Sequence, residues 1–251
     1  MATKNDARAQ REARARLRAY EERQHNHSTK LSRRKRDNVV ISVVAIVAVF
    51  IAIASQITFG LTNQGSQANS TATPAAGVPD KALAESRQWN GAMTLAGVPL
   101  SFTLTGSAAP QAVASTVSLI NKGFYAGTTC HRLTTEGIYV LQCGDPQGTG
   151  AGGPGYSYGP VENAPANNIY PAGTIAMARQ GGNGNSMGSQ FFIVYKDSTI
   201  PSDAAGGYTV IGNITSGLPQ LITDVTSRGT STNTGDGPPA VSALIQSITV
   251  K

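Results

Sequence analysis

Residues 183–195 read N-G-N-S-M-G-S-Q-F-F-I-V-Y, a glycine-rich loop that runs directly into an apolar strand. In an extended strand successive side chains point to opposite faces. Phe191, Ile193 and Tyr195 therefore share one side, and Gln190, Phe192 and Val194 share the other. If the first set fills a core, the second sets an amide beside an aromatic ring on the opposite surface. That pairing is either ordinary surface or one wall of a binding site, and the rest of the chain decides.

The 251 residues allow one or two domains, and 40% hydrophobic residues supply a core. With 28 Gly, 13 Pro, 6% aromatic and 14% charged residues, strands and loops are favoured over long helices. The net charge of +6 is unevenly placed. Residues 1–38 carry twelve Lys and Arg against five Asp and Glu, a net +7, and the remainder carries eight against nine, a net −1. The basic character belongs to a tail, so a nucleic-acid-binding face on the folded part is not expected.

The charge boundary coincides with a membrane signal. Residues 39–61, V-V-I-S-V-V-A-I-V-A-V-F-I-A-I-A-S-Q-I-T-F-G-L, contain no charge and reach the length of one transmembrane helix. Lys30, Arg33, Arg34, Lys35 and Arg36 precede it with no matching cluster behind. The positive-inside tendency then predicts a single-pass cell-membrane protein, N-terminus cytoplasmic and C-terminal part extracytoplasmic. A cleaved signal peptide is the rival, since Ala52-Ile53-Ala54 resembles a cleavage site. The 38-residue flank is long for that, which favours a retained anchor. The basic cytoplasmic tail, 1–38, includes strong helix formers over 5–24 and reads as a solvated segment near anionic lipid. Residues 62–87 read as a flexible linker.

The folded domain is expected over 88–251. Leu100, Phe102 and Leu104 alternate inward after a break at Ala96-Gly97. Residues 110–122 predict a helix with Pro110 in its first turn, an apolar stripe of Val113, Val117 and Ile120, and Gly123 as its stop. Residues 217–228 repeat that design around Pro219 and Gly229. Strands are expected near 127–134, 138–143, 173–178, 190–195, 207–214 and 242–250. Many short strands with two separated helices point to a mainly β fold, a closed barrel capped by two helices.

Residues 148–153, G-T-G-A-G-G, fit the spacing G-x-G-x-x-G, but P-G-Y-S-Y-G-P follows where a dinucleotide site needs a helix. Of three histidines two, His25 and His27, lie in the tail and only His131 lies in the domain. A histidine-built metal site and a Ser–His triad are therefore not expected. The chemistry has to work without metal, cofactor or nucleophile.

C-H-R-L (130–133), Y-V-L-Q-C-G-D (139–145), G-T-G-A-G-G-P-G-Y (148–156), G-T-I-A-M-A-R (173–179) and G-S-Q-F-F-I (188–193) follow in order. Together they resemble the cyclophilin family of peptidyl-prolyl isomerases over roughly 90–251; the anchor outside that region looks like that of membrane-tethered actinobacterial members. The resemblance implies a closed eight-stranded antiparallel β-barrel, no cofactor, and proline-containing polypeptides as partners. It implies catalytic roles for Arg132, Gln142 and Gln190. It implies substrate contacts at Phe192, at Tyr139 (where phenylalanine is usual), at Val140 (methionine usual), and at Ala178 and Arg179. Ile200 stands where tryptophan is common and Tyr208 where histidine is. Loss of the indole implies weak binding of cyclosporin, the family's cyclic-peptide inhibitor.

These residue types suit the reaction. Resonance holds a peptide bond planar behind a barrier of about 18–20 kcal/mol, while the isomers of X–Pro differ by only about 1 kcal/mol. A catalyst need only favour the twisted state, in which the proline nitrogen regains its lone pair. A guanidinium can donate to that nitrogen without losing charge, and an apolar cup can grip the ring. A cyclophilin-like binding module or holdase with little turnover is the alternative reading.

Cys130 and Cys143, the only cysteines, flank a predicted turn at T-T-E-G. A regular hairpin with paired indices summing to 273 would bring them together for a disulfide. The same register puts Arg132 opposite Leu141, off the Gln142 face. Both features hold only if a bulge or irregular turn intervenes, and the residues alone leave this open.

Overall fold

A computed structural model describes residues 76–251, which fall within the unit Thr71–Lys251. The tail 1–38, the apolar stretch 39–61 and most of the expected linker lie outside the described residues. In chain order the elements are β1 (Gln88–Leu95), β2 (Val98–Thr105), α1 (Pro110–Asn121), β3 (Arg132–Thr134), β4 (Val140–Cys143), β5 (Ile169–Tyr170) and β6 (Thr174–Met177). They continue with β7 (Phe191–Val194), β8 (Ser198–Thr199), β9 (Val210–Ser216), α2 (Leu218–Asp224), β10 (Asp236–Gly237) and β11 (Ile245–Val250).

Nine strands form one antiparallel ladder in the order β10-β3-β4-β7-β6-β9-β2-β1-β11, and β5 pairs with β8 separately. The ladder counts nine strands where eight were expected. The sheet is a curled half-barrel whose end strands, β10 and β11, do not pair. Segment 127–130 spans the gap: Thr129 bridges both Asp145 and Leu244, and the Cys130 amide donates to the Ala243 carbonyl at 2.8 Å. That segment contributes isolated bridges because its backbone breaks from the ladder before β3 begins.

Alternation sorts the buried side chains into two clusters. Leu100, Phe102 and Leu104 of β2, Leu141 of β4, Ile175 of β6, and Phe191 and Ile193 of β7 fill the main core. The other faces of the same central strands put Val140, Ala176, Phe192 and Val194 into a smaller cluster with Tyr170 and Ile200. β6 and β7 are buried throughout because both of their faces are covered. Each large apolar side chain so buried contributes about 1.5–3 kcal/mol. Gly91 is needed for this packing, since a Cβ there would collide with the Phe102 ring.

Helix α1 starts at Pro110, as its sequence predicts, and Gly123 ends it at φ +70°. Its N-terminus has no local side-chain cap. Instead the Gln111 and Ala112 amides donate to the Glu162 carboxylate at 3.1 and 3.0 Å, which satisfies two of the free amides of the first turn. The second expected helix is shorter: α2 stops at Asp224, and Thr226–Arg228 is a separate 3-10 turn.

One boundary of the linker also changes. Residues 81–84 form a 3-10 turn capped by Asp80, Ala84 is fully buried, and the Trp89 indole donates to the Ala84 carbonyl at 3.0 Å. The Pro79 carbonyl accepts from Gln111 Nε2 at 3.0 Å. Residues 79–87 belong to the domain because the tryptophan and α1 need these partners.

Candidate active site

Three strands lay the site out as a row. Arg132 of β3 is opposite Gln142 of β4, and Gln142 is opposite Phe192 of β7. Directly opposed side chains share a face and lie within contact range. Arg132, Gln142 and Phe192 line one hollow of about 170 Å³ together with Val140, Ile200 and Tyr208. Ala178 and Arg179 edge it and also line a larger adjoining hollow of about 410 Å³, walled by residues 150–154 and Gln190. The smaller hollow is the candidate centre, because Arg132 and Phe192 line it together.

Tyr139 does not line that hollow. Its ring stands edge-on to Tyr195 at 5.9 Å, with the Lys196 ammonium 4.2 Å above it. Ile138 takes the wall position beside Val140. Alternation is the reason: with Ile138, Val140 and Gln142 facing the hollow, Tyr139 and Leu141 between them face away.

A relay of amides holds the row. Arg132 Nη1 donates to Gln142 Oε1 at 3.3 Å, and Gln142 Nε2 donates to Gln190 Oε1 at 2.8 Å. Gln190 Nε2 then donates to the carbonyls of Gly150 and Gly152 at 2.9 and 2.8 Å. The glycine-rich loop is thus the relay's anchor. Its amides converge on the buried Asp145 carboxylate: those of Gln147, Thr149, Gly150 and Gly152 all donate to it, at 2.6–3.1 Å. Burial pushes the Asp145 carboxyl up, but these amide bonds outweigh it and hold the group below the usual carboxylate range. The amides that a dinucleotide motif would turn toward phosphate are committed to Asp145.

Arg179 carries a different load. Its fully buried side chain pairs with Asp203 through two bonds of 2.9 Å and donates to the carbonyls of Gly206 and Gly207 at 2.6 and 3.0 Å. Its guanidinium stands 4.7 Å over the Tyr208 ring, and Tyr208 is edge-on to Phe192 at 5.5 Å. Arg179 thereby fixes the loop that carries Tyr208 to the hollow.

Cys130 and Cys143 are joined, with Cα atoms 3.8 Å apart, while Arg132 keeps its place opposite Gln142. Paired indices here sum to 274 rather than 273, at Arg132–Gln142 and again at Thr129–Asp145. Between them the His131 amide donates to the Gln142 carbonyl, one position out of step. That irregularity at 130–131 lets the sulfurs meet without moving Arg132 off the Gln142 face. Neither ring nitrogen of His131 has a hydrogen-bond partner. Burial pushes its pKa down, the Asp145 charge pulls it up, and Arg132 adds to the fall, so the net shift is downward.

Three contributors escaped the sequence reading. Ile138 was recoverable, since alternation back from Val140 selects it. Asp145 had a local signal: D-P-Q-G-T-G offers an aspartate just before a turn whose amides it can accept. Asp236, which accepts from Arg132, had none, because 104 positions separate the two.

A curled antiparallel half-barrel thus brings a guanidinium, two relayed amides and an aromatic ring around one hollow. The chain belongs to the cyclophilin-type peptidyl-prolyl cis-trans isomerase/CLD family, whose pattern it matches over residues 92–250. It is similar to a probable peptidyl-prolyl cis-trans isomerase B of Mycobacterium tuberculosis, with 44% identity over 156 residues covering 58% of this chain and 49% of that protein. The Mycobacterium leprae counterpart is 41% identical over 156 residues, covering 58% and 51%. The chain thus spans about half the length of these relatives. A Bacillus subtilis peptidyl-prolyl cis-trans isomerase B is 41% identical over 122 residues, 49% of this chain and 80% of that one. Among solved structures, a Cryptosporidium parvum cyclophilin-type isomerase crystallised in the presence of the dipeptide Ala-Pro aligns with a TM-score of 0.53 and 27% identity. The alignment covers 64% of this chain and 98% of that one.

Proposed function

We propose that this protein is a peptidyl-prolyl cis-trans isomerase that accelerates X–Pro rotation in exported or cell-envelope polypeptides. The observation that carries the reading is the meeting of the Arg132 guanidinium and the Phe192 ring in one hollow. The proline ring enters between Phe192, Val140, Ile138 and Ile200, with Tyr208 closing one side. Arg132 then donates to the proline nitrogen as the peptide bond twists, a contact stronger in the twisted state than in either planar isomer. Gln142 and Gln190 hold the guanidinium in place, and the adjoining larger hollow receives chain flanking the proline. Each 1.36 kcal/mol of selective stabilisation gives about tenfold in rate.

The location is part of the same proposal. The apolar stretch 39–61 serves as a single membrane anchor, with the basic tail cytoplasmic and the catalytic domain extracytoplasmic. A disulfide at Cys130–Cys143 supports an oxidising compartment. Cyclosporin binds weakly, for want of an indole at Ile200.

The test is an X–Pro isomerisation assay on the full chain beside Arg132→Ala. A loss of about tenfold to a hundredfold in kcat/KM is expected, from a hydrogen bond to a charged group worth about 1.5–3 kcal/mol. Equal rates would transfer the reading to a proline-binding module without turnover.

A further inference from the structure

Arg132 is gripped from two sides, and the second grip comes from the far end of the chain. Asp236 of β10 accepts from Nε on Oδ1 at 2.8 Å and from Nη2 on Oδ2 at 2.6 Å. This side-on, two-bonded form fixes both the position and the plane of the guanidinium. The hydrogen bonds from Arg132 hold the Asp236 carboxyl below the usual carboxylate range, so it is ionised at neutral pH.

Asp236 is itself firmly placed. It sits opposite Thr134 where β10 pairs with β3, the strand that carries Arg132. The Thr234 hydroxyl donates to the Asp236 carbonyl at 2.8 Å. Thr230 closes the turn beneath, donating from Oγ1 to the Thr234 carbonyl at 2.6 Å and accepting from the Thr234 amide at 3.0 Å. Asp236 does not line the hollow. It stands on the other edge of the guanidinium and reaches a substrate only through it.

A guanidinium has five N–H donors. Two are spent on Asp236 and one on Gln142, leaving one on Nη1 and one on Nη2 for a substrate. Without the carboxylate, the long side chain turns about its own bonds and only the 3.3 Å bond to Gln142 restrains it. The pair is roughly half exposed, at 41% and 54% of the two side chains. An ion pair in that setting adds little to fold stability, so its removal should be read in the reaction rather than in the fold.

We propose that Asp236 is a positioning residue for isomerisation, holding the Arg132 guanidinium so that its free Nη1 and Nη2 protons face the proline hollow. The inference rests on the isomerase reading above. The experiment is a double-mutant cycle on the full chain in detergent: wild type, Asp236→Ala, Arg132→Ala and both together, with kcat and KM for an X–Pro peptide. Asp236→Ala is expected to lower kcat about tenfold at unchanged KM and unchanged thermal midpoint, and to cause no further loss when Arg132 is already alanine. The Arg132 Nε–H resonance in a nitrogen-resolved spectrum should be sharp in the wild type and lost to exchange in Asp236→Ala. If the alanine variant does not fold, Asp236→Asn keeps the turn and removes the charge and one acceptor, with the same expected losses. Full activity in a folded Asp236 variant, or an equal loss in the Arg132→Ala background, overturns the inference while the isomerase reading stands. An inactive wild type overturns both.

Discussion

Gln190 accepts a 2.8 Å hydrogen bond from Gln142 although the two are not opposite each other in the sheet. Gln142 pairs with Phe192, and Gln190 lies on the diagonal, within reach of a long side chain. One amide therefore ties the row of Arg132, Gln142 and Phe192 to the glycine-rich loop. Gln142→Ala or Gln190→Ala should each lower kcat/KM by about tenfold, the worth of one lost bond to the arginine's support. The double variant should be little worse than either, because both cut the same relay. Additive losses in the peptide assay would show that the two act separately.

The Cys130–Cys143 link closes a short loop that contains both β3 and β4, its ends 13 positions apart. Titration of the unreduced, denatured chain should find no free thiol. Reduction should lower stability by about 3 kcal/mol, the value for a loop near this size. Urea unfolding with and without reductant measures it, and identical midpoints would contradict the link's contribution.

Acid should destabilise the domain in two windows. His131 is held below its ordinary 6.5, so the unfolded chain takes up the proton first. Stability is then fully present above pH 6.5 and falls as pH drops toward the folded value. Asp145 is held below 3.8, so a second loss begins near that pH and continues as pH falls through its folded value. His131→Asn should flatten the first window and leave the second. Thermal midpoints between pH 8 and 3 test both, and an unchanged first window in the variant would exclude His131 as its source.

Ile200 is buried against Val140 and Phe192 at the edge of the hollow. Ile200→Trp should add a stacking surface and an indole donor, tightening cyclosporin binding by about tenfold. Titration calorimetry on both forms measures the difference. Equal affinities would place the limit on binding elsewhere in the hollow.

Several residues that line the hollow are legible in the sequence. Alternation alone separated Phe191 and Ile193 from Phe192, and these side chains do divide between the two clusters. It could equally have replaced Tyr139 by Ile138, since neighbours on a strand cannot share a wall. The strand count and the role of residues 79–87 were less accessible, because a two-residue strand such as β10 has no periodicity to read.

Which faces the strands present, where α1 starts and stops, and which residue types the hollow could draw on are all written in short stretches of the chain. Those properties follow from sterics and periodicity within a few residues. The folded sheet alone sets Arg132 opposite Gln142, breaks step at 130–131 so the cysteines can also meet, and brings Asp236 to the other edge of the guanidinium. Register between strands and pairing across a hundred positions are settled by packing of the whole sheet, and no local pattern carries them.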